Sequence, residues 1–178
     1  MAFNINLKEQ IAQKKLETNH KQVLIMFNNI LSSIVDTLKP VIVSKNYLPK
    51  WLLFISVVSV FNSIQCFSKI GISLTRKVYA NTSLKKNNQI NELSCRLFGT
   101  WTFISCVIRF YAALYPSNEQ IYQICFISYI VALGHFGSEL VAFKSCKFDK
   151  GIAGPFIVAS TSLIWMFNQK EYYTGKPW

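Results

Sequence analysis

Histidine is almost missing from this chain of 178 residues: His20 and His135 are the only two. A membrane di-iron oxygenase holds its metals with clusters of histidines, so that class is excluded. His135-Phe136-Gly137-Ser138-Glu139 lacks the His-Glu-x-x-His spacing of a metalloprotease, and one His with one Glu is too few ligands for a catalytic zinc. A Ser–His–acid triad fails on the same shortage. Acidic residues are also scarce, 8 Asp+Glu against 19 Lys+Arg. The five cysteines (Cys66, Cys95, Cys106, Cys125 and Cys146) include no Cys-x-x-Cys pair. That argues against a zinc ribbon or a disulfide framework and leaves reduced thiols acting as small hydrophobes. There is no phosphate-binding loop and no dinucleotide fingerprint. Tyr172 and Lys176 have the spacing of the short-chain reductase pair, but without a cofactor fold around them the match is chance. The expectation is a protein with no cofactor, no metal and no catalytic site.

What the chain does have is length of apolar run. Trp51–Phe67, Leu97–Tyr115, Ile121–Phe143 and Ile152–Phe167 are each 16 to 23 residues long. A bilayer crossing needs about 20 apolar residues, or about 18 in a thin endoplasmic reticulum membrane. Apolar residues make up 51% and charged residues 15% of the chain, against about 25% charged in a soluble domain. The fold class expected is therefore all-α: a four-helix transmembrane bundle preceded by an amphipathic, interfacial helix. Two regions follow, an N-terminal segment (1–46) and a four-span membrane domain (47–178).

Residues 1–22 are polar and mixed in charge, and the sequence leaves them open between a frayed helix and disorder. Val23, Phe27, Ile30, Leu31, Ile34 and Leu38 then recur at helical spacing, with Asn28, Asn29, Ser32, Ser33 and Asp36 opposite. That pattern suits a helix lying in the membrane interface, ended by Pro40. No cleavable signal peptide is visible, so the first span is expected to serve as an uncleaved anchor. The connection from Ser68 to Arg96 reads as a long basic loop, Pro116–Gln120 as a tight hairpin link, and Asn168–Trp178 as an aromatic and polar tail.

The net charge of +11 suggests nucleic acid at first, but only Arg109 lies inside a span. The remaining basic residues flank the spans or lie in the tails, where anionic lipid head groups attract them. Membrane lipid is thus the expected partner, and nucleic acid is not. Orientation is nearly balanced, with nine basic residues on either side of the membrane; those nearest the span ends favour the two loops facing the cytosol. Asn81-Thr82-Ser83 is a glycosylation sequon whose occupancy reports that topology.

Ionisable residues at membrane depth are costly and are functional candidates by default. Three occur: Arg109, His135 and Glu139. In the hairpin formed by spans two and three, Arg109 matches Ile127 in depth, and Glu139 lies about 18 Å further along at 1.5 Å per residue. An Arg109–Glu139 pair is therefore not expected, and Arg109 is expected to snorkel toward the interface near Tyr111 and Tyr115. Asn62, Gln65, His135 and Glu139 fall in the other leaflet, and are expected to form an interhelical polar cluster. Gly99, Gly134, Gly137, Gly151 and Gly154 are candidate close-packing sites. A channel or transporter is disfavoured by the lack of a visible repeat.

The run Tyr47-Leu48-Pro49-Lys50-Trp51-Leu52-Leu53-Phe54-Ile55-Ser56, continuing to Phe61-Asn62-Ser63-Ile64-Gln65, is distinctive. So are Leu74-Thr75-Arg76-Lys77-Val78-Tyr79, Arg96-Leu97-Phe98-Gly99-Thr100-Trp101-Thr102-Phe103, Arg109-Phe110-Tyr111, His135-Phe136-Gly137-Ser138-Glu139 and Glu171-Tyr172-Tyr173-Thr174-Gly175. In this order, from about Tyr47 to Gly175, they closely resemble the ergosterol biosynthetic protein 28 family; residues 1 to about 35 depart from it. The resemblance implies a non-enzymatic scaffold of the endoplasmic reticulum membrane. It implies as partners a sterol C-4 methyl oxidase, a decarboxylating dehydrogenase, a 3-keto reductase and a C-24 sterol methyltransferase. It carries no catalytic residues. Candidate interaction or structural residues are those in the shared motifs: Trp51, Asn62, Gln65, Arg76, Arg96, Gly99, Trp101, Arg109, His135, Glu139 and Tyr172. For Trp51 and Trp101, anchoring at the interface is an equal reading. The alternative functions are a carrier that binds a sterol intermediate through His135 or Glu139, a small transporter, and a cryptic sterol-modifying enzyme.

Overall fold

Asn91, Asn118 and Asp149 each stand just before a long apolar run, and each caps a helix there. Their side chains accept hydrogen bonds from the backbone N–H groups of Ser94, Ile121 and Gly151, which have no partner inside the helix. Ser94 returns a bond to the Asn91 backbone, completing a capping box. The computed structural model describes residues 2–81 and 89–178, with side chains from residue 13 onward. Among the described residues it is all-helical: α1 (Ala2–Val43), α2 (Tyr47–Cys66), α3 (Lys69–Val78), α4 (Glu92–Leu114), α5 (Glu119–Val141) and α6 (Lys150–Thr174). Helices α2, α4, α5 and α6 are long and apolar enough to cross a membrane, which makes this a multi-pass membrane protein.

The chain divides into a first unit ending at Val43 and a second, Ser44–Trp178. In the first, α1 is one helix of 42 residues, so the polar segment before residue 22 is helical rather than unformed. Val23, Phe27, Ile30, Leu31 and Ile34 are all exposed along it. Pro40 does not end this helix, which runs on to Val43. So near a helix end, proline forfeits one backbone bond, that to the Asp36 carbonyl, and the last turn still closes.

In the second unit the helices start and stop differently from the apolar runs. Helix α2 starts at Tyr47, with Pro49 in its first turn, where a missing N–H is harmless. Helix α4 starts five residues before Leu97, at its Asn91 cap. Helix α6 runs through the expected tail to Thr174 and ends at Gly175, whose φ of 69° is left-handed. The expected long loop contains a further helix, α3, whose buried residues are Gly71 and Thr75. Residues 82–88, with the Thr82 and Ser83 of the sequon, lie outside the described residues.

Helix α2 packs most extensively on α4, α5 packs on α4 and α6, and α3 braces α2, α4 and α6 at the loop end. Between helices in lipid there is no hydrophobic drive, so close packing and interhelical hydrogen bonds must supply the association. The α2–α4 seam provides both. Ser56 donates to the Cys106 carbonyl at 3.0 Å and Ser63 to the Gly99 carbonyl at 2.7 Å, each worth roughly 0.6 to 2 kcal/mol. A Cβ on Gly99 would lie 2.7 Å from Cys66 Cβ. At the loop end, a Cβ on Gly151 would overlap the Lys77 carbonyl, which lets α3 seat against the start of α6. Gly134, Gly137 and Gly154 face open space instead and pack nothing closely.

The larger core lies toward the tail end, around Leu48, Leu52, Tyr122, Tyr129, Ala159 and Met166. The C-terminus folds over it. Trp178 stacks on Phe167, Lys170 donates to the Pro177 carbonyl at 2.6 Å, and Lys176 reaches Glu119 at 2.8 Å.

Gly99→Ala is expected to lower the thermal midpoint of the detergent-solubilised protein, because overpacking costs about 1–3 kcal/mol. Gly134→Ala, whose new methyl meets nothing, is expected to leave the midpoint unchanged or raise it. Equal midpoints for the two variants would contradict the seam.

Candidate functional site

Two polar centres stand out in the bundle, one at the loop end and one buried within it. At the loop end, helical spacing puts His135 and Glu139 four apart on one face of α5. Their Nδ1 and Oε1 atoms are 4.0 Å apart. His135 Nε2 is 2.7 Å from the Tyr79 hydroxyl, which comes from the residue following α3. Burial pushes the Tyr79 phenol well above its ordinary value, with the nearby Cys146 and Glu139 adding to the effect. The Tyr79 hydroxyl and Nε2 share this hydrogen bond, and the other ring nitrogen, Nδ1, faces Glu139. Trp101, Phe98 and Phe136 ring this group edge-on.

Glu139 in turn organises the turn between α5 and α6. Its carboxylate accepts from the Ser145 hydroxyl, and its carbonyl accepts from the Ser145 and Cys146 amides at 2.9 and 3.2 Å. Asn81 is tied to the same turn, donating from its backbone to the Ser145 carbonyl at 3.1 Å and from its side chain to that of Lys144. His135 and Glu139 thus join two loops. The expected hydrogen-bonded cluster with Asn62 and Gln65 does not form: Gln65 is exposed, and Asn62 lines a neighbouring cavity that shares Phe98, Trp101 and Phe136 with the His135 group. Matching depth by residue count says nothing about which way each helix face turns.

The second centre is Arg109, which is 9% exposed and does not snorkel. Its Nη1 donates to Ser59 of α2 at 3.1 Å, and its Cζ lies 4.5 Å from the centre of the Tyr129 ring of α5. Its Nε has no acceptor in the protein. Among the described residues no carboxylate is within ion-pair distance, so Arg109 and Glu139 are separate, as their depths required. The guanidinium turns inward because α2 offers a small hydroxyl where a larger residue would block it. Arg109 lines a cavity of about 310 Å³ with Ser59, Asn62, Trp101 and Tyr129, and α6 contributes Gly154 and Pro155 to its wall.

The remaining candidates are spread over the surface and seams. Trp51 donates from Nε1 to Ser162 of α6 at 2.9 Å and packs beside Trp165, so it joins two helices. Trp101 lies between the two polar centres. Gly99 is the close contact of the α2–α4 seam. Arg76 donates to the Ile90 carbonyl at 3.2 Å. It lines an open groove of about 1090 Å³ with Lys69, Lys77, Lys150 and Asp149, a basic surface suited to acidic head groups or an acidic partner. Arg96 makes only an exposed pair with Glu92 at 3.6 Å. Tyr172 donates to Asn46, and Lys176 reaches Glu119 and not Tyr172, so the reductase-like spacing is not a pair.

Sequence reasoning missed Ser56, Ser59 and Ser63, although their spacing of three and four marks one helical face. It also missed Tyr79, for which a lone aromatic at the end of a loop gave no signal.

The model of the family described as Erg28 like protein matches residues 48–164. The chain belongs to the Erg28 family. It is 55% identical to ergosterol biosynthetic protein 28 of Saccharomyces cerevisiae over 150 residues, 83% of this chain and 98% of that protein. It is 50% identical to the Candida albicans protein of the same name over 128 residues, 72% and 88% of the two chains. Against the Mus musculus homolog the identity is 35% over 132 residues, 74% and 91%. No solved structure matches significantly. The Erg28 match begins at the second residue of α2 and leaves out α1. It includes both polar centres and places the chain in ergosterol biosynthesis.

One outcome follows for the loop end. Burial raises the Cys146 thiol, so maleimide labelling of Cys146, mapped by peptide mass spectrometry, is expected to be slow at neutral pH. Glu139→Ala removes the Ser145 anchor and is expected to speed it several-fold; an unchanged rate would contradict the anchoring role.

Proposed function

We propose that this chain is a non-catalytic scaffold of the endoplasmic reticulum membrane that holds sterol C-4 demethylation enzymes together. The enzymes are a C-4 methyl oxidase, a decarboxylating dehydrogenase and a 3-keto reductase, with a C-24 sterol methyltransferase as a further partner. The observation that carries this reading is how the bundle uses its ionisable groups. His135 is held between Tyr79 and Glu139, Glu139 is bonded into a turn, and all five thiols are buried. These groups join helices and loops, as a rigid platform requires.

Membership of a family in ergosterol biosynthesis supplies the pathway. The exposed apolar stripe of α1 and the basic groove beside α3 are two chemically different surfaces that partners can share. Tethering raises the effective concentration of one active site near the next into the millimolar range, so an intermediate meets the following enzyme before it diffuses away. The Arg109 cavity favours a second role, in which the platform also holds an intermediate.

Affinity purification of the tagged full-length chain from a mild detergent tests the scaffold. The oxidase, dehydrogenase and reductase are expected to be recovered together. Recovery of the chain without any of them would overturn the reading.

A further inference from the structure

We infer that the Arg109 cavity is a binding site for the acid end of a ring-bearing, membrane-soluble monocarboxylate. In naming a steroid acid this rests on the sterol reading above, but the site itself is argued from its own chemistry. A guanidinium taken out of water costs several kcal/mol unless it is paired, and this one has only a serine hydroxyl and a tyrosine face. Its Nε is buried and has no protein acceptor. A planar fork of five N–H donors with a single protein hydrogen bond, that to Ser59, is matched best by a carboxylate. The neighbouring Asn62 adds a polar side chain to the same wall, and its α2 neighbours Ser56 and Ser63 are already committed to the α2–α4 seam.

The other walls suit a flat apolar body. Trp101, Phe98, Phe136, Val58 and Val158 all line the cavity. Helices α2 and α6 meet through side chains, Trp51 on Ser162 and Trp165 and Leu48 and Leu52 in one core with Met166, rather than by close backbone packing, so the seam between them is taken as the route in from lipid. A volume of about 310 Å³, at the lower end for ligand pockets, takes a terminal ring and its acid group. The rest of a steroid would lie along the seam in the bilayer. Gly154 and Pro155 keep the α6 wall low at this point.

The test uses the purified full-length chain in phosphatidylcholine nanodiscs. The probes are a tritiated androstane monocarboxylate with its acid on a terminal ring, the methyl ester of that compound, and palmitate. The steroid acid is expected to bind saturably, with the ester and palmitate at least tenfold weaker. Arg109→Gln is expected to weaken the acid by about 10- to 100-fold, the range of a charge-assisted hydrogen bond. Arg109→Lys should fall between the two. Gly154→Phe adds bulk at the α6 rim of the cavity, and is expected to weaken binding at least tenfold in a folded protein even if Arg109→Gln fails to fold. Equal binding of acid and ester, equal binding of palmitate, or undiminished binding in Arg109→Gln or Gly154→Phe would overturn the proposal. The measurement needs no partner enzyme, so it stands or falls apart from the scaffold reading. Retention of the partner enzymes by Gly154→Phe would show that the cavity and the platform are separate.

Discussion

Serines 56, 59 and 63 share one face of α2, and α4 answers with a glycine carbonyl, a cysteine carbonyl and an arginine. In a bilayer no water competes for these groups and no hydrophobic force draws two apolar helices together, so their association depends on such contacts. The approach of α4 to α2 at Gly99 sets the frame for the rest. It brings Arg109 to Ser59 and places Trp101 between the two polar centres. All four spans contribute residues to the cavity that remains between them.

The two ends of the bundle are fastened differently. At the loop end, polar side chains on α5 capture the turn after it and the residue after α3, and Gly71 and Gly151 let α3 lie close. At the tail end, aromatic stacking and the Lys176–Glu119 contact fold the C-terminus back onto α5 and α6. Both ends are thereby held, while the lipid-facing sides remain apolar and available. A bundle fixed at its ends with free sides has the geometry that a platform for neighbouring membrane enzymes requires.

Much of this was legible in the sequence, and what was not has a physical reason. Four long apolar runs announced four spans, because the cost of burying charge in lipid leaves a strong compositional trace. Their starts, and the end of the last, lie outside the apolar runs, since the polar caps at Asn91 and Asp149 and the helical tail beyond Phe167 carry little hydropathy, whereas the first three helices stop one or two residues before their runs do. Helix α3 was missed because ten residues with four apolar positions resemble a loop until their glycine contacts are known. Depth along a hairpin follows from counting, and so Arg109 and Glu139 were correctly kept apart. Rotation about each helix axis does not follow from counting, and so Asn62 and Gln65 were wrongly joined to His135. Arg109 was assigned to the interface on the general cost of a buried cation; the serine stripe that admits it was visible but was not weighed.

The proposed platform makes its strongest demand on kinetics. The direct measurement reconstitutes the oxidase, the dehydrogenase and the reductase in liposomes at low surface density, with and without this chain, and follows the lag before product forms and the release of carboxylated intermediate into empty acceptor vesicles. The account predicts a shorter lag and less escape when the chain is present, with the rate of each enzyme alone unchanged. Identical time courses with and without it, or turnover of a sterol intermediate by the chain by itself, would contradict it.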